Sequence, residues 1–152
     1  MDTSLAMGTQ SELNPLATIH KQAITLRFLV VEDDQSQWPL WDSIIKSTHP
    51  NAEIDYETTE AGAEALLRHS FHAEKPYDLV ISDVFLEGED TGLDLWSRYG
   101  EVSDRFIFVS SMSLKNFDSL IHSMNGESPN LPFYLQKPLS TAVCREVLKA
   151  LL

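Results

Sequence analysis

The feature that most constrains the fold is a strict alternation of short apolar runs with longer segments of helical periodicity. Five apolar runs recur along the chain, and a segment with apolar residues three or four apart follows each one. Strands that alternate with helices form parallel sheets through right-handed crossovers. We therefore predict a single α/β domain, a doubly wound (βα)5 fold with helices on both faces of a five-stranded parallel sheet. The predicted strands are residues 26–31, 54–58, 79–81, 105–109 and 133–136.

Residues that begin and orient the helices can also be assigned. Ser36 is the candidate N-cap of the first helix, and Pro39 falls in its first turn, where a missing N–H costs little. The apolar stripes that should face the sheet are Trp38, Trp41, Ile44 and Ile45 in the first helix, Ala61, Ala65 and Leu66 in the second, Leu93, Trp96 and Tyr99 in the third, Leu114, Phe117, Ile121 and Met124 in the fourth, and Val143, Val147, Leu148 and Leu151 in the fifth, which Ser140 should cap.

Length, charge and cysteine content limit the domains and partners. The 152 residues suffice for one domain, which we assign to residues 24–152, with 1–23 as a flexible tail or, alternatively, a tail with a short docked helix at 16–23. The net charge of −12 argues against nucleic acid and anionic membranes as partners. A lone cysteine, Cys144, and the lack of a leader-like or membrane-spanning run indicate a cytoplasmic location. We expect a monomer or weak dimer.

Polar residues stand at the carboxyl ends of four predicted strands: Glu32, Asp33, Asp83, Ser110 and Lys137. Ligands of doubly wound sheets bind at that edge. In the strand order 2-1-3-4-5, which is common among doubly wound proteins with five strands, strands one and three are neighbours. The three carboxylates would then be close enough to repel one another.

A hard cation would relieve that repulsion, so we predict a Mg²⁺ site. Mg²⁺ takes one or two protein carboxylates and accepts phosphate oxygens as further ligands. With Lys137 and the hydroxyl of Ser110, the set suits phosphoryl transfer to Asp83 as nucleophile. The chain has no glycine-rich phosphate-binding loop, so a nucleotide is not the expected donor.

Four segments in order, FLVVEDD, YDLVISD, FIFVSS and FYLQKP, resemble the receiver domains of two-component response regulators, a flavodoxin-like group. The resemblance covers residues 26–152. It implies that Asp83 is the phosphoacceptor, with Lys137 and Ser110 as its catalytic partners. It further implies Mg²⁺ ligation by Asp33, by Asp83, by the main-chain carbonyl of Phe85 and by Glu32 through water. Tyr134 becomes the aromatic switch residue, and the Lys137–Pro138 peptide is expected to be cis.

The sequence departs from the family pattern around the phosphoacceptor loop. The family usually has a proline in this loop, and here Glu87 stands nearby instead. Thr91 looks like an extra residue before Gly92, and the segment 110–137 is longer than usual. The resemblance also marks Phe85 and Met112 as rate-modulating positions that flank the phosphoryl group. Both are apolar and cannot orient an attacking water, so we predict slow self-hydrolysis of the phosphoaspartate.

The function expected from the resemblance is that of a stand-alone receiver. Asp83 would take a phosphoryl group from a histidine kinase or histidine phosphotransfer protein, and the domain would then signal to a downstream protein. It would catalyse only its own phosphorylation and dephosphorylation, and so is not expected to be an enzyme. One alternative is a receiver-like interaction module that works without phosphorylation. Another is a phosphohydrolase, which Phe85 disfavours because such enzymes commonly place a second acid two residues after the nucleophile.

Overall fold

Five parallel strands form one sheet in the order β2-β1-β3-β4-β5. The computed structural model describes residues 25–86, 88, 90–100, 105–125 and 131–152. The predicted doubly wound fold and strand order are confirmed. The strands are β1 (Arg27–Val31), β2 (Glu53–Glu57), β3 (Leu79–Asp83), β4 (Phe106–Ser110) and β5 (Phe133–Gln136).

Each strand is followed by a helix. These are α1 (Trp38–Thr48), α2 (Glu60–His72), α3 (Gly92–Tyr99), α4 (Leu114–Asn125) and α5 (Thr141–Leu151), and a short 3-10 turn, Gln35–Gln37, precedes α1. Ser140 caps α5 as predicted, since its side chain accepts a hydrogen bond from the Val143 amide. Within the described residues, no helix is long and apolar enough to cross a membrane.

The central strands are buried on both faces, and two apolar cores cover them. On one face, Leu29 and Phe108 pack with α2, α3 and α4, and on the other Phe28 and Ile107 pack with α1 and α5. Cys144 lies in the second core. Strands β1 and β3 are adjacent, with Val31 opposite Ser82. This pairing brings the residues after β1 beside the end of β3.

Two helix predictions are wrong in detail. Ser36 does not cap α1: Asp34 caps the preceding 3-10 turn and accepts hydrogen bonds from both the amide and the hydroxyl of Ser36. Ala61 and Ala65 are exposed, and α2 instead turns Ala63 and Leu67 inward, together with Glu60 and Ser70. A leucine gains far more from burial than an alanine, so Leu67 sets the rotation of the helix.

Some predicted stripe residues also lie outside the core. Leu114, Met124 and Val143 are exposed, while Phe117, Ile121 and Leu148 carry the contacts of their helices. The residues outside the described ranges include the predicted tail 1–23 with the alternative helix at 16–23, Glu87, Glu89, and residues 126–130 of the long segment before β5.

The two edges of the sheet differ in charge. Strand β2 forms one edge and carries an acidic residue at every second position, Glu53, Asp55 and Glu57. Strand β5 forms the other edge, has no charged residue, and begins with Phe133, which is half exposed.

Candidate functional site

Three carboxylates meet at the carboxyl edge of the sheet, as the sequence predicts. Glu32 and Asp33 follow β1, and Asp83 ends β3. One ligand atom from each of the three lies within 4.8 Å of the others. Glu32 is 4% exposed and Asp83 is 7% exposed, while Asp33 is half-buried. Within the described residues, this is the one group of three or more His, Cys, Asp or Glu side chains placed to hold a metal ion.

Lys137 reaches into the same cluster from the end of β5. Its Nζ lies 3.0 Å from Asp83 Oδ1 and 3.5 Å from Glu32 Oε1. Its main-chain N–H donates to the carbonyl of Ser110 at 2.8 Å, which ties β5 to the end of β4. The following peptide, Lys137–Pro138, is cis, as expected. One lysine is therefore shared between two buried carboxylates, and the cluster keeps an excess of negative charge.

The donor set fits a divalent cation. Glu32 Oε1 is buried and has no hydrogen-bond partner within the described residues, because the Lys137 ammonium contacts it at 3.5 Å only as a charge. Burial raises the pKa of Asp83, and the hydrogen bond and charge of Lys137 only partly offset that rise. A nearby cation would stabilise both the unpaired buried oxygen of Glu32 and the carboxylate anion of Asp83. The all-oxygen set suits Mg²⁺.

The hydroxyl of Ser110 and the ring of Tyr134 are linked through one short loop. Ser110 ends β4 and is buried, and its Oγ accepts a hydrogen bond from the Met112 amide at 3.2 Å. The Tyr134 hydroxyl lies 3.0 Å from the carbonyl of Ser110 and 2.6 Å from that of Met112. The Tyr134 ring stacks on Phe117 of α4, with centroids 4.2 Å apart. The predicted switch residue thus already contacts the main chain that carries Ser110. Its movement on phosphorylation stays a prediction.

An open groove leads to the acidic residues. It has a volume of about 420 Å³ and runs between the turn after β1 and the segment after β5. Its lining combines Asp33 and Lys137 with the apolar side chains of Leu40, Pro138 and Leu139. In the loop that follows Asp83, Phe85 is 62% exposed. The site is therefore reachable by a group carried on a partner molecule.

Helix α3 begins immediately after the loop that follows β3 and is strongly fixed there. Thr91 is its N-cap and forms a capping box with Asp94, in which each side chain bonds the main chain of the other. The Gly92 N–H donates to the carbonyl of Val84 at 3.0 Å. A Cβ at Gly92 would lie 2.1 Å from the carbonyl oxygen of Asp83, so no larger residue fits. Thr91 is thus a helix cap, and the apparent insertion is a structural residue.

A second charged cluster, which the sequence reasoning missed, lies between α2 and α3. Arg98 contacts Asp90 at 3.1 Å, Glu60 at 3.4 Å and Glu64 at 3.6 Å. Burial and the neighbouring Glu64 raise the pKa of Glu60 to about 7. The pair Glu60 and Glu64, four residues apart at the start of a helix, was the available signal. Through Asp90, this cluster ties the loop after β3 to α2.

The fold is that of the receiver domains of response regulators. No family model matches the chain, and no curated protein is similar to it in sequence. Solved structures do match in fold. The signal receiver domain of a putative LuxO repressor protein from Vibrio parahaemolyticus aligns over 84% of this chain and 90% of its own, with a TM-score of 0.62 and 21% identity.

Two further structures support the same assignment of fold. The chemotaxis protein CheY4 of Vibrio cholerae matches 85% of this chain and 100% of its own, with a TM-score of 0.66 and 15% identity. The phosphorylated cyanobacterial phytochrome response regulator RcpA matches 84% and 91%, with a TM-score of 0.62 and 17% identity. The chain therefore has the receiver fold.

Proposed function

We propose that the protein is a Mg²⁺-dependent receiver that accepts a phosphoryl group on Asp83 and signals through contacts with other proteins. The observation that carries this proposal is the position of Asp83. It is a buried carboxylate at the carboxyl edge of the sheet, 3.0 Å from Lys137 Nζ and adjacent to the acidic pair Glu32 and Asp33. A structural role explains such a cluster poorly, because the three acids lie together and Lys137 pairs with only two of them, Glu32 and Asp83.

The proposed reaction is an in-line transfer. A carboxylate oxygen of Asp83 attacks the phosphorus of a phosphohistidine, and the P–N bond breaks with its electron pair left on the imidazole nitrogen. Lys137 balances charge on the phosphoryl oxygens. Ser110 Oγ accepts a hydrogen bond from the Met112 amide, which leaves the hydroxyl proton free to be donated to a phosphoryl oxygen.

The metal would be held by the acidic cluster. Asp33 and Asp83 would ligate Mg²⁺ directly, Glu32 through a water, and the main-chain carbonyl of Phe85 would complete the protein ligands. When bound, Mg²⁺ supplies the positive charge that three carboxylates and a phosphoryl group otherwise lack.

The signal would leave through α4, β5 and α5. A shift of Ser110 toward the phosphoryl group pulls on the loop whose carbonyls bond Tyr134, and the Tyr134 ring stacks on α4. This is a local charge change that biases a packed element. The donor would be a histidine kinase or a histidine phosphotransfer protein, and the recipient of the signal another protein. The domain would catalyse only its own phosphorylation and dephosphorylation.

Incubation with Mg²⁺ and acetyl phosphate, followed by intact mass spectrometry, tests the proposal. We expect a single phosphoryl adduct that does not form when EDTA is added beforehand and is absent in Asp83→Asn. Asp118→Asn, at an exposed carboxylate of α4, is the matched control and should be phosphorylated normally. Turnover of acetyl phosphate without an adduct would indicate a phosphohydrolase. No reaction with acetyl phosphate or with a phosphohistidine donor would indicate an interaction module that works without phosphorylation.

A further inference from the structure

Trp38, the first residue of α1, makes a specific contact with the acidic turn. Its indole Nε1 donates a hydrogen bond to the main-chain carbonyl of Glu32 at 3.1 Å. The contact spans the whole segment that carries Glu32, Asp33 and Asp34. Among the side-chain hydrogen bonds of the described residues, this is the one that joins α1 to the acidic turn. The packing of an apolar helix does not require an indole to bond at this point.

The bond fixes the peptide that leads into Asp33. The Glu32 amide donates to the carbonyl of Glu57 at 2.9 Å, and its carbonyl accepts from Trp38. Because a peptide unit is planar, anchoring the Glu32 carbonyl also fixes the nitrogen and Cα of Asp33. The main chain on both sides of Glu32 is therefore held, and the direction in which Asp33 leaves β1 is set.

Asp33 needs such an anchor more than its neighbours do. It is half-buried, whereas Glu32 and Asp83 are buried, so solvent and charge repulsion both draw it out of the cluster. Mg²⁺ requires near-ideal octahedral geometry, so a ligand that wanders weakens binding.

The indole ring is itself held in place by the edge strand. Trp38 stacks on Tyr56 of β2, with centroids 5.0 Å apart and an interplanar angle of 25°. The Tyr56 hydroxyl donates to Asp42 of α1 at 3.4 Å. A stacked, tethered ring presents its N–H in one direction, which is what a positioning contact needs.

We propose that Trp38 is a positioning residue for the metal site: its indole N–H holds Asp33 in ligating geometry. This inference rests on the proposed Mg²⁺ site and names a residue on which its affinity depends. Trp38 does not itself touch the metal or the phosphoryl group. Contacts that orient metal ligands from outside the coordination sphere commonly affect affinity in this way.

Trp38→Phe tests the proposal because it keeps an aromatic ring for the stack and removes the N–H. Mg²⁺ affinity is measured by titrating MgCl2 into ¹⁵N-labelled full-length protein and following backbone amide shifts. Loss of one hydrogen bond should raise the Kd for Mg²⁺ by roughly threefold to tenfold. Trp38→Tyr, which also lacks a donor at that position, should show the same loss and covers the case in which Trp38→Phe folds poorly.

Trp41→Phe is the matched control. Trp41 lies on the same helix but is buried in the core with Ile44 and Ile45. Its replacement should lower the melting temperature and leave the Mg²⁺ Kd unchanged. Amide hydrogen exchange without Mg²⁺ provides a second readout, in which Trp38→Phe should accelerate exchange at residues 32–34 selectively.

Three results would overturn the proposal. The Kd of Trp38→Phe could equal that of the wild type, or Trp41→Phe could weaken binding equally, which would make the effect one of general destabilisation. If the wild-type protein bound no Mg²⁺, the proposed metal site itself would fail and this inference with it. Either of the first two results would refute the role of Trp38 and leave the proposed function intact. The experiment therefore distinguishes failure of this inference from failure of the proposed function.

Discussion

Replacing Asp83 by asparagine should stabilise the folded protein when no divalent cation is present. With an effective dielectric constant of about 20, opposite charges 3 Å apart attract by about 5 kcal/mol, and like charges just under 5 Å apart repel by about 3 to 4 kcal/mol. Asp83 has one such attraction, from Lys137 at 3.0 Å, and two such repulsions, from Glu32 and Asp33 within 4.8 Å.

The balance is unfavourable to the Asp83 anion before its burial is considered. Burial adds to the cost, in agreement with its raised pKa. Solvent near Lys137 and Asp33 weakens every term, so we expect Asp83→Asn to gain about 1 to 2 kcal/mol in the free energy of unfolding at neutral pH. For a domain of this size, the melting temperature would rise by roughly 3 to 8 °C.

The effect should depend on pH in a defined direction. The pKa of Asp83 is higher in the folded protein than in the unfolded chain. Its favourable contribution is therefore fully present below the ordinary aspartate pKa and is lost as the pH rises through the folded-state pKa. The stability difference between Asp83→Asn and wild type should vanish below about pH 4 and grow toward neutral pH.

Urea unfolding followed by circular dichroism, in EDTA and in saturating MgCl2, measures these quantities. Mg²⁺ should stabilise the wild type more than Asp83→Asn, so the gap should narrow or reverse. Asp118→Asn removes an exposed carboxylate and should change stability little in either buffer. If Asp83→Asn were no more stable than wild type in EDTA at neutral pH, the electrostatic reasoning would be refuted.

Three further predictions concern single positions. Phe85→Asn should speed loss of the phosphoryl group from Asp83 by more than about twofold, since a polar side chain can orient the attacking water. The decay is followed by intact mass spectrometry after removal of the donor. An unchanged rate would contradict the prediction. Gly92→Ala should lower the free energy of unfolding by about 1 to 3 kcal/mol, because its methyl group would displace the Asp83 carbonyl. Urea titration measures the free energy of unfolding, and an unchanged value would count against close packing of Gly92 on the Asp83 carbonyl. Glu60→Gln should remove a pH dependence: with the pKa of Glu60 raised to about 7, the wild type loses stability as the pH rises from about 4.5 to 7. Melting temperatures of Glu60→Gln and wild type that ran parallel across that range would show the reasoning wrong.

The sequence predicted which residues lie at this edge of the sheet because topology, and not side-chain detail, brings them there. Parallel strands bring their carboxyl ends to one edge, so polar residues that end β1, β3, β4 and β5 must meet whatever their rotamers. The strand boundaries differ from prediction by two residues at most. The apolar runs that defined them are the buried central strands β1, β3 and β4.

The rotation of helices was less predictable. In α2, Ala61 and Ala65 match a helical stripe as well as Ala63 and Leu67 do, and only packing against the sheet distinguishes the two faces. Methyl groups contribute too little burial free energy to mark a face, so pattern alone cannot choose.

Periodicity does not predict which distant segments a polar side chain contacts. The bond from Trp38 to the Glu32 carbonyl depends on the stack with Tyr56, which belongs to a different strand. The cluster of Arg98 with Asp90 and Glu60 likewise joins three separate segments. Such contacts follow from rotamers and from helix placement, which periodicity does not fix.

The unequal edges of the sheet bear on how copies of this molecule can associate. An edge strand offers unpaired amides and carbonyls to any other strand. If the β2 edges of two copies paired, Glu53, whose side chain is 68% exposed, and Asp55 would face like charges. This repulsion disfavours pairing at that edge. Strand β5 itself carries no charged residue and presents the half-exposed Phe133. Strand-to-strand growth between molecules is thereby directed to one side, so any assembly through the sheet ends as a closed pair and not as an open filament.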